Sequence, residues 1–137
     1  MHLVLALNAE LPQDWVVDGT ARFATQTGAT VAVLSVDEVQ LERLAPVPRS
    51  VYAGMAEQAA SGAVRRLQDA GVDATATVLP GLARDVVLDF ADQQAADIIV
   101  VGASDRPALA TRLLGSVPLA LVARSTRPVL VLTPPRG

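Results

Sequence analysis

Short runs of Val, Leu and Ile alternate along this chain with longer amphipathic stretches, and the alternation predicts an ordered series of strands and helices. Leu3 to Leu7 is a continuous apolar run, the pattern of a parallel strand buried on both faces. Pro12, Gln13 and Asp14 open a helix to about Thr27 that offers Trp15, Val16, Phe23 and Ala24 to a core, and Gly28 ends it. Thr30 to Val36, rich in β-branched residues, is the second strand. Asp37 to Ser50 reads as a connector with Pro46 and Pro48, and with a short helical turn over Glu38 to Leu44.

A long helix follows from about Val51 to Ala70, with Val51, Met55, Ala59, Val64 and Leu67 spaced as one buried stripe and Gly71 as its C-cap. Val72 to Leu79 alternates small polar and apolar residues, as an edge strand does, and Pro80-Gly81 turns the chain into a helix over Ala83 to Gln94. Ala96 to Val101 is a strongly apolar strand ended by Gly102. Ser116 then caps a helix to about Ser125, with Pro118 tolerated in its first turn, and Pro128 to Thr133 is the final strand. Five strands with four intervening helices make an α/β domain with a mostly parallel sheet, and 137 residues suffice for one such domain, 1–137.

Composition narrows the chemistry. There is no cysteine, which removes disulfides and thiolate catalysis, and the single histidine follows the initiator Met, which removes His-based triads and His-rich metal sites. Eleven basic against fourteen acidic residues give a net charge of −3, a balance that does not suit nucleic acid as a partner. No stretch reaches about eighteen apolar residues without a charge or a breaker, so no membrane span is expected. The opening residues lack the basic region of a signal peptide, and a cytoplasmic location is the expectation.

In an open α/β sheet ligands bind beyond the carboxyl ends of the strands, where strand order reverses. The loops there offer Asn8 and Glu10, then Asp37, then Gly81, then the run from Gly102 through Asp105 and Arg106. The last of these ends thirteen residues after Gly102 at Gly115-Ser116, where a helix starts, and free backbone N–H groups beside a hydroxyl are a natural seat for phosphate. Read from the residues alone, Gly102 and Ser116 serve equally as a strand end and an N-cap.

Several other chemistries lack their residues. A response regulator needs an acidic pair after the first strand, a phosphoacceptor Asp after the third and a Lys after the fifth; this chain has Asn8, Pro80-Gly81 and no such Lys. The loop Asn8-Ala9-Glu10-Leu11-Pro12 is neither a dinucleotide fingerprint nor a Ser-Gly-Gly phosphate loop, and no P-loop is present. Asp14 and Asp18 suit a helix start, Arg65-Arg66 a solvated helix face, Arg124 and Arg127 a surface or a dimer rim, and Trp15 a docked helix.

The spans Asp97-Ile98-Ile99-Val100-Val101-Gly102, Leu113-Leu114-Gly115-Ser116-Val117 and Arg127-Pro128-Val129-Leu130-Val131-Leu132 resemble, in order, spacing and residue type, the C-terminal half of the universal stress protein family. Pro80-Gly81 and an opening strand ending in Asn8 match the family's layout too, so the resemblance covers essentially the whole chain. It implies a sheet ordered 3-2-1-4-5 with helices on both faces, the Rossmann-like three-layer sandwich of the adenine nucleotide alpha hydrolases. It also implies dimerisation, often by antiparallel pairing of the last strand. Some members bind ATP through Gly, two residues, Gly, nine residues, Gly and then Ser or Thr.

Gly102, Gly115 and Ser116 match that motif, and Val36 matches the position that flanks adenine. Asp105 stands where the middle glycine belongs, and Asn8 where nucleotide-binding members carry Asp. A carboxylate on the phosphate path repels the ligand unless Arg106, Arg112 or a metal ion compensates, and Asn lacks the charge-assisted bond of an Asp. The expectation is therefore a non-catalytic stress-response or regulatory protein with an impaired nucleotide pocket. The alternative is an ATP-binding sensor, with very slow hydrolysis at most, using the cleft after strands one and four. ATP with Mg²⁺ is the one cofactor the motif suggests. The final strand, apolar and without a charge or internal Pro to blunt its edge, points to a homodimer through about Pro128 to Thr133, open to a further protein partner.

Overall fold

A computed structural model of the chain describes residues 1–7, 14–37, 49–103 and 116–135. Its elements in order are β1 (His2–Leu7), α1 (Asp14–Thr27), β2 (Thr30–Asp37), α2 (Arg49–Asp69), β3 (Ala74–Pro80), α3 (Ala83–Gln93), β4 (Ile98–Gly102), α4 (Ser116–Arg124) and β5 (Val129–Leu132). The strands form one five-stranded sheet in the order β3-β2-β1-β4-β5, and every adjacent pair is parallel. This is the architecture expected from the sequence.

β1 is the centre. Leu3 pairs with Val31 of β2 and with Ile98 of β4, and Leu5 with Val33 and Val100, so both edges of the strand are bonded. Its side chains alternate between two layers. Leu3 and Leu5 join Val31 and Val33 against α1 and α2, while Val4 and Ala6 join Ala32, Leu34 and Ile99 against α3 and α4. An uninterrupted apolar run is what such a position demands, since neither face meets water.

The helices reach the sheet through small residues. α1 buries Val16, Val17, Gly19, Thr20, Ala21 and Ala24, and Trp15 and Phe23 pack half-buried beside them. In α2 the buried stripe is Ala56, Ala60, Ala63 and Leu67, rotated from the one expected; Val51 lies exposed, while Val64 only borders the core. Alanine on the inner face brings the helix axis close to the strands, and the larger side chains are carried to its flanks. Asp37, expected to begin the connector, is instead the last residue of β2, paired with Pro80 and buried.

Ion pairs tie the outer helices. Arg66 of α2 donates to both carboxylate oxygens of Asp18 in α1, at 2.5 and 2.9 Å, so it is an inter-helix clasp rather than a plain solvated charge. The Arg66 guanidinium holds the Asp18 carboxyl below its ordinary range, chiefly by that hydrogen bond. Arg124 pairs with Asp85, and Arg127 reaches Asp92 and the carbonyl of Ala96, both against α3 or its end rather than at a free rim. Among the described residues no helix is long and apolar enough to cross a membrane.

α3 ends on Gln94, and the next residue, Ala95, has φ +50°. That left-handed position after a helix suits glycine, because a Cβ there crowds the backbone. Ala95→Gly is expected to raise stability by roughly 0.5–1 kcal/mol, read as a higher urea midpoint at unchanged slope. An unchanged or lower midpoint contradicts this account.

Candidate functional site

The order of the sheet decides where a ligand can sit. The chain moves outward from β1 to β2 and β3, then crosses to β4 and β5 on the other side, so the carboxyl ends of β1 and β4 form a topological switch point, the place where open α/β sheets offer a ligand crevice. Val36, Asp37, Gly102 and Ala103 lie at that edge, together with the first turn of α4.

Val36 is buried on the α3 and α4 side, packed with Leu34 and Val101, and presents an apolar wall near the end of β2. Gly102, half-buried, is the last residue of β4 and pairs with Leu132. The next N–H, that of Ala103, donates to the Leu132 carbonyl at 2.8 Å. α4 begins at Ser116, placing a helix N-terminus after the β4 strand as the spacing predicted. Asn8, Asp105, Arg106 and Gly115, with Glu10 and Arg112, lie outside the described residues, and of Ser116 only the backbone is described. An apolar wall at β2, a glycine at the end of β4 and backbone N–H groups at the start of α4 are a donor set that suits a base at one end and a phosphate at the other.

The turn into α3 needs its glycine. Gly81 has φ +131°, and a Cβ there would fall 2.8 Å from Val86 Cγ2. Its N–H donates to the Asp37 carbonyl, which ties this turn to the end of β2.

Of two polar residues at this edge, Asp37 was named from the sequence and Ser35 escaped it. Ser35 and Asp37 share one face of β2, the face of Val31 and Val33, and both are buried. The Ser35 Oγ makes no hydrogen bond among the described residues. The period of two from Val31 to Asp37 was the available signal, but the strand had been ended at Val36.

The only histidine is at the opposite end of the sheet. His2 Nδ1 lies 2.6 Å from Thr30 Oγ1 and Nε2 lies 3.0 Å from Gln94 Oε1. An open groove of about 510 Å³ between α1 and α2 also lies toward that end, and is lined by Asp18, Ala21, Arg22, Thr25, Gln26, Arg66 and Ala70. Among the described residues no cluster of three or more His, Cys, Asp or Glu is placed to hold a metal ion.

The fold is an open parallel α/β sheet with a topological switch point between β1 and β4. A model of the universal stress protein family matches residues 1–133, and the chain belongs to that family. No curated protein sequence matches it. Among solved structures it is similar to a universal stress protein crystallised in complex with cAMP, at 25% identity over 97% of this chain and 96% of that one, with a TM-score of 0.72. A universal stress protein from Archaeoglobus fulgidus in complex with dAMP shares the fold at 21% identity, covering 96% of each chain, with a TM-score of 0.71. A family member from Arabidopsis thaliana with AMP bound shares it at 17% identity over 98% of this chain and 92% of that one, with a TM-score of 0.72.

Ser35 generates a direct test. A buried hydroxyl without a partner costs stability, so Ser35→Ala should raise it by roughly 1 kcal/mol in urea unfolding. A loss of that size would mean that the hydroxyl is bonded in solution.

Proposed function

We propose that this protein binds an adenine nucleotide across the carboxyl edge of its sheet and acts as a sensor or regulator rather than a catalyst. The observation that carries the reading is the switch point at the carboxyl ends of β1 and β4. It has the apolar Val36 on one side and, on the other, Gly102 leading to the α4 start at Ser116. Solved members of this fold in complex with cAMP, dAMP and AMP support it. In this reading Val36 flanks the base, Asn8 hydrogen-bonds the nucleoside, and the backbone at Gly102 and Gly115, with the Ser116 hydroxyl, receives phosphate.

Asp105 then sets the ligand's charge. A carboxylate on the phosphate path opposes a triphosphate more than a monophosphate, since repulsion grows with ligand charge, while Arg106 offsets part of it. AMP or a similar mononucleotide is therefore the preferred ligand, and ATP with Mg²⁺ the weaker one. No reaction is assigned. His2, the only histidine, lies at the opposite end of the sheet.

Calorimetric titration of nucleotide-stripped protein with AMP and with ATP, each with and without Mg²⁺, tests this. AMP should bind in the micromolar range and ATP more weakly, and Asp105→Gly should tighten ATP by about 5–10-fold while leaving AMP nearly unchanged. Silence with every adenine nucleotide up to millimolar concentration would remove the reading. Equal affinity for ATP in the parent and Asp105→Gly would remove the charge argument.

The partner proposed first is a second copy of the chain. β5 is an edge strand, and Pro128 and Leu132 turn their carbonyls to β4, receiving Ile99 and Ala103 N–H groups. By the alternation of a strand, Val129, Val131 and Thr133 turn their backbone groups to the open edge. Leu119 and Val122 of the neighbouring α4 are 48% and 52% exposed and extend the apolar surface. Antiparallel pairing of two such edges satisfies both at once. Light scattering at micromolar concentration should give a dimer, and Val131→Lys a monomer; a monomeric parent chain contradicts the proposal.

A further inference from the structure

Gly19 lies in the interior of α1, buried, and is not among the residues with positive φ. Glycine is unfavourable inside a helix, and no turn here requires it, so its presence calls for a packing reason. That reason is Leu132. A Cβ on Gly19 would fall 2.9 Å from Leu132 Cδ1, with Cδ2 at 3.6 Å and Cγ at 3.7 Å. An added methyl therefore obliges the Leu132 isopropyl group to turn or shift from its seat on α1.

The same Leu132 holds the end of β4 from its other side. It is the register partner of Gly102, and its carbonyl accepts the Ala103 N–H, the first beyond the strand. One residue of β5 thus rests on the bare backbone of α1 and fixes the point where the chain leaves β4. α1 follows the segment that carries Asn8, and the β4 exit begins the segment that ends at Ser116.

We infer that Leu132, seated against Gly19, is a positioning residue that sets where the chain leaves β4 and hence the geometry offered to phosphate. The effect on affinity rests on the nucleotide reading above; the mechanical role does not.

Gly19→Ala in the full chain tests both. The added methyl displaces Leu132 and weakens its bond to Ala103, so the Ala103 amide should exchange with solvent about 10-fold faster relative to those of Val100 and Val101. Gly19→Ala with Leu132→Val, which shortens the obstructing side chain, should return that ratio to within about 2–3-fold of the parent. AMP affinity should fall about 5–10-fold in the single variant and recover in the double one. Equal acceleration along β4 would mean a loss of global stability only, and overturns the inference. So does AMP affinity that is unmoved while Ala103 exchange changes. If the parent binds no AMP, the nucleotide reading fails by itself, and an unchanged Ala103 exchange ratio then overturns the positioning role. Should Gly19→Ala not fold, Leu132→Ala gives the same readout from the other partner, with Ala103 exchanging about 3-fold faster or more.

Discussion

The rest of the molecule depends on burying β1 on both faces while its backbone is bonded on both edges. Leu3, Val4 and Leu5 have no exposed surface, and each pairs with residues of β2 and β4. Burial of such side chains stabilises by about 1.5–3 kcal/mol each as an upper bound, and a single charge in the run would forfeit more than one of them. A strand so placed must have layers above and below, and the chain can supply them only by wrapping helices to both sides. Strand order then reverses around β1, and the topological switch point at its carboxyl end follows from the same requirement.

Close packing of the layers explains the chain's abundance of alanine. Ala56, Ala60 and Ala63 on α2, and Ala21 and Ala24 on α1, bring backbone near backbone, and Gly19 carries that to its limit against Leu132. With the inner faces so smooth, the helices are oriented partly from outside, by Asp18 with Arg66, Asp85 with Arg124 and Asp92 with Arg127. These pairs are substantially exposed and contribute little net stability in water, so their use is to fix how neighbouring helices lie.

The two ends of the sheet differ in chemistry along the strand direction. The carboxyl edge carries Val36, Gly102 and the α4 start, while the amino edge carries His2, bonded to Thr30 and Gln94. The edge strand β5 bonds β4 through its inner backbone and leaves its outer backbone at the sheet edge. Its side chains have little freedom to change, because Leu130 and Leu132 face one core and Val129 and Val131 the other.

The order of elements, their approximate bounds and the inward faces of the strands were all present in the sequence, because apolar runs bounded by glycine and proline are local signals. The spacing from Gly102 to Ser116 was equally plain, and those two residues do end β4 and begin α4. Tertiary structure decided the rest. α2 carries alanine on several faces, so periodicity favoured the stripe with the larger side chains, whereas the distance to the sheet selected Ala56, Ala60 and Ala63. Asp37 became a buried strand end because β3 extends alongside it to Pro80. Arg66 found Asp18, and Gly19 found Leu132, through contacts between elements far apart in the chain. No local pattern encodes such pairs; they exist only once the layers have closed on β1 and fixed which residues face one another.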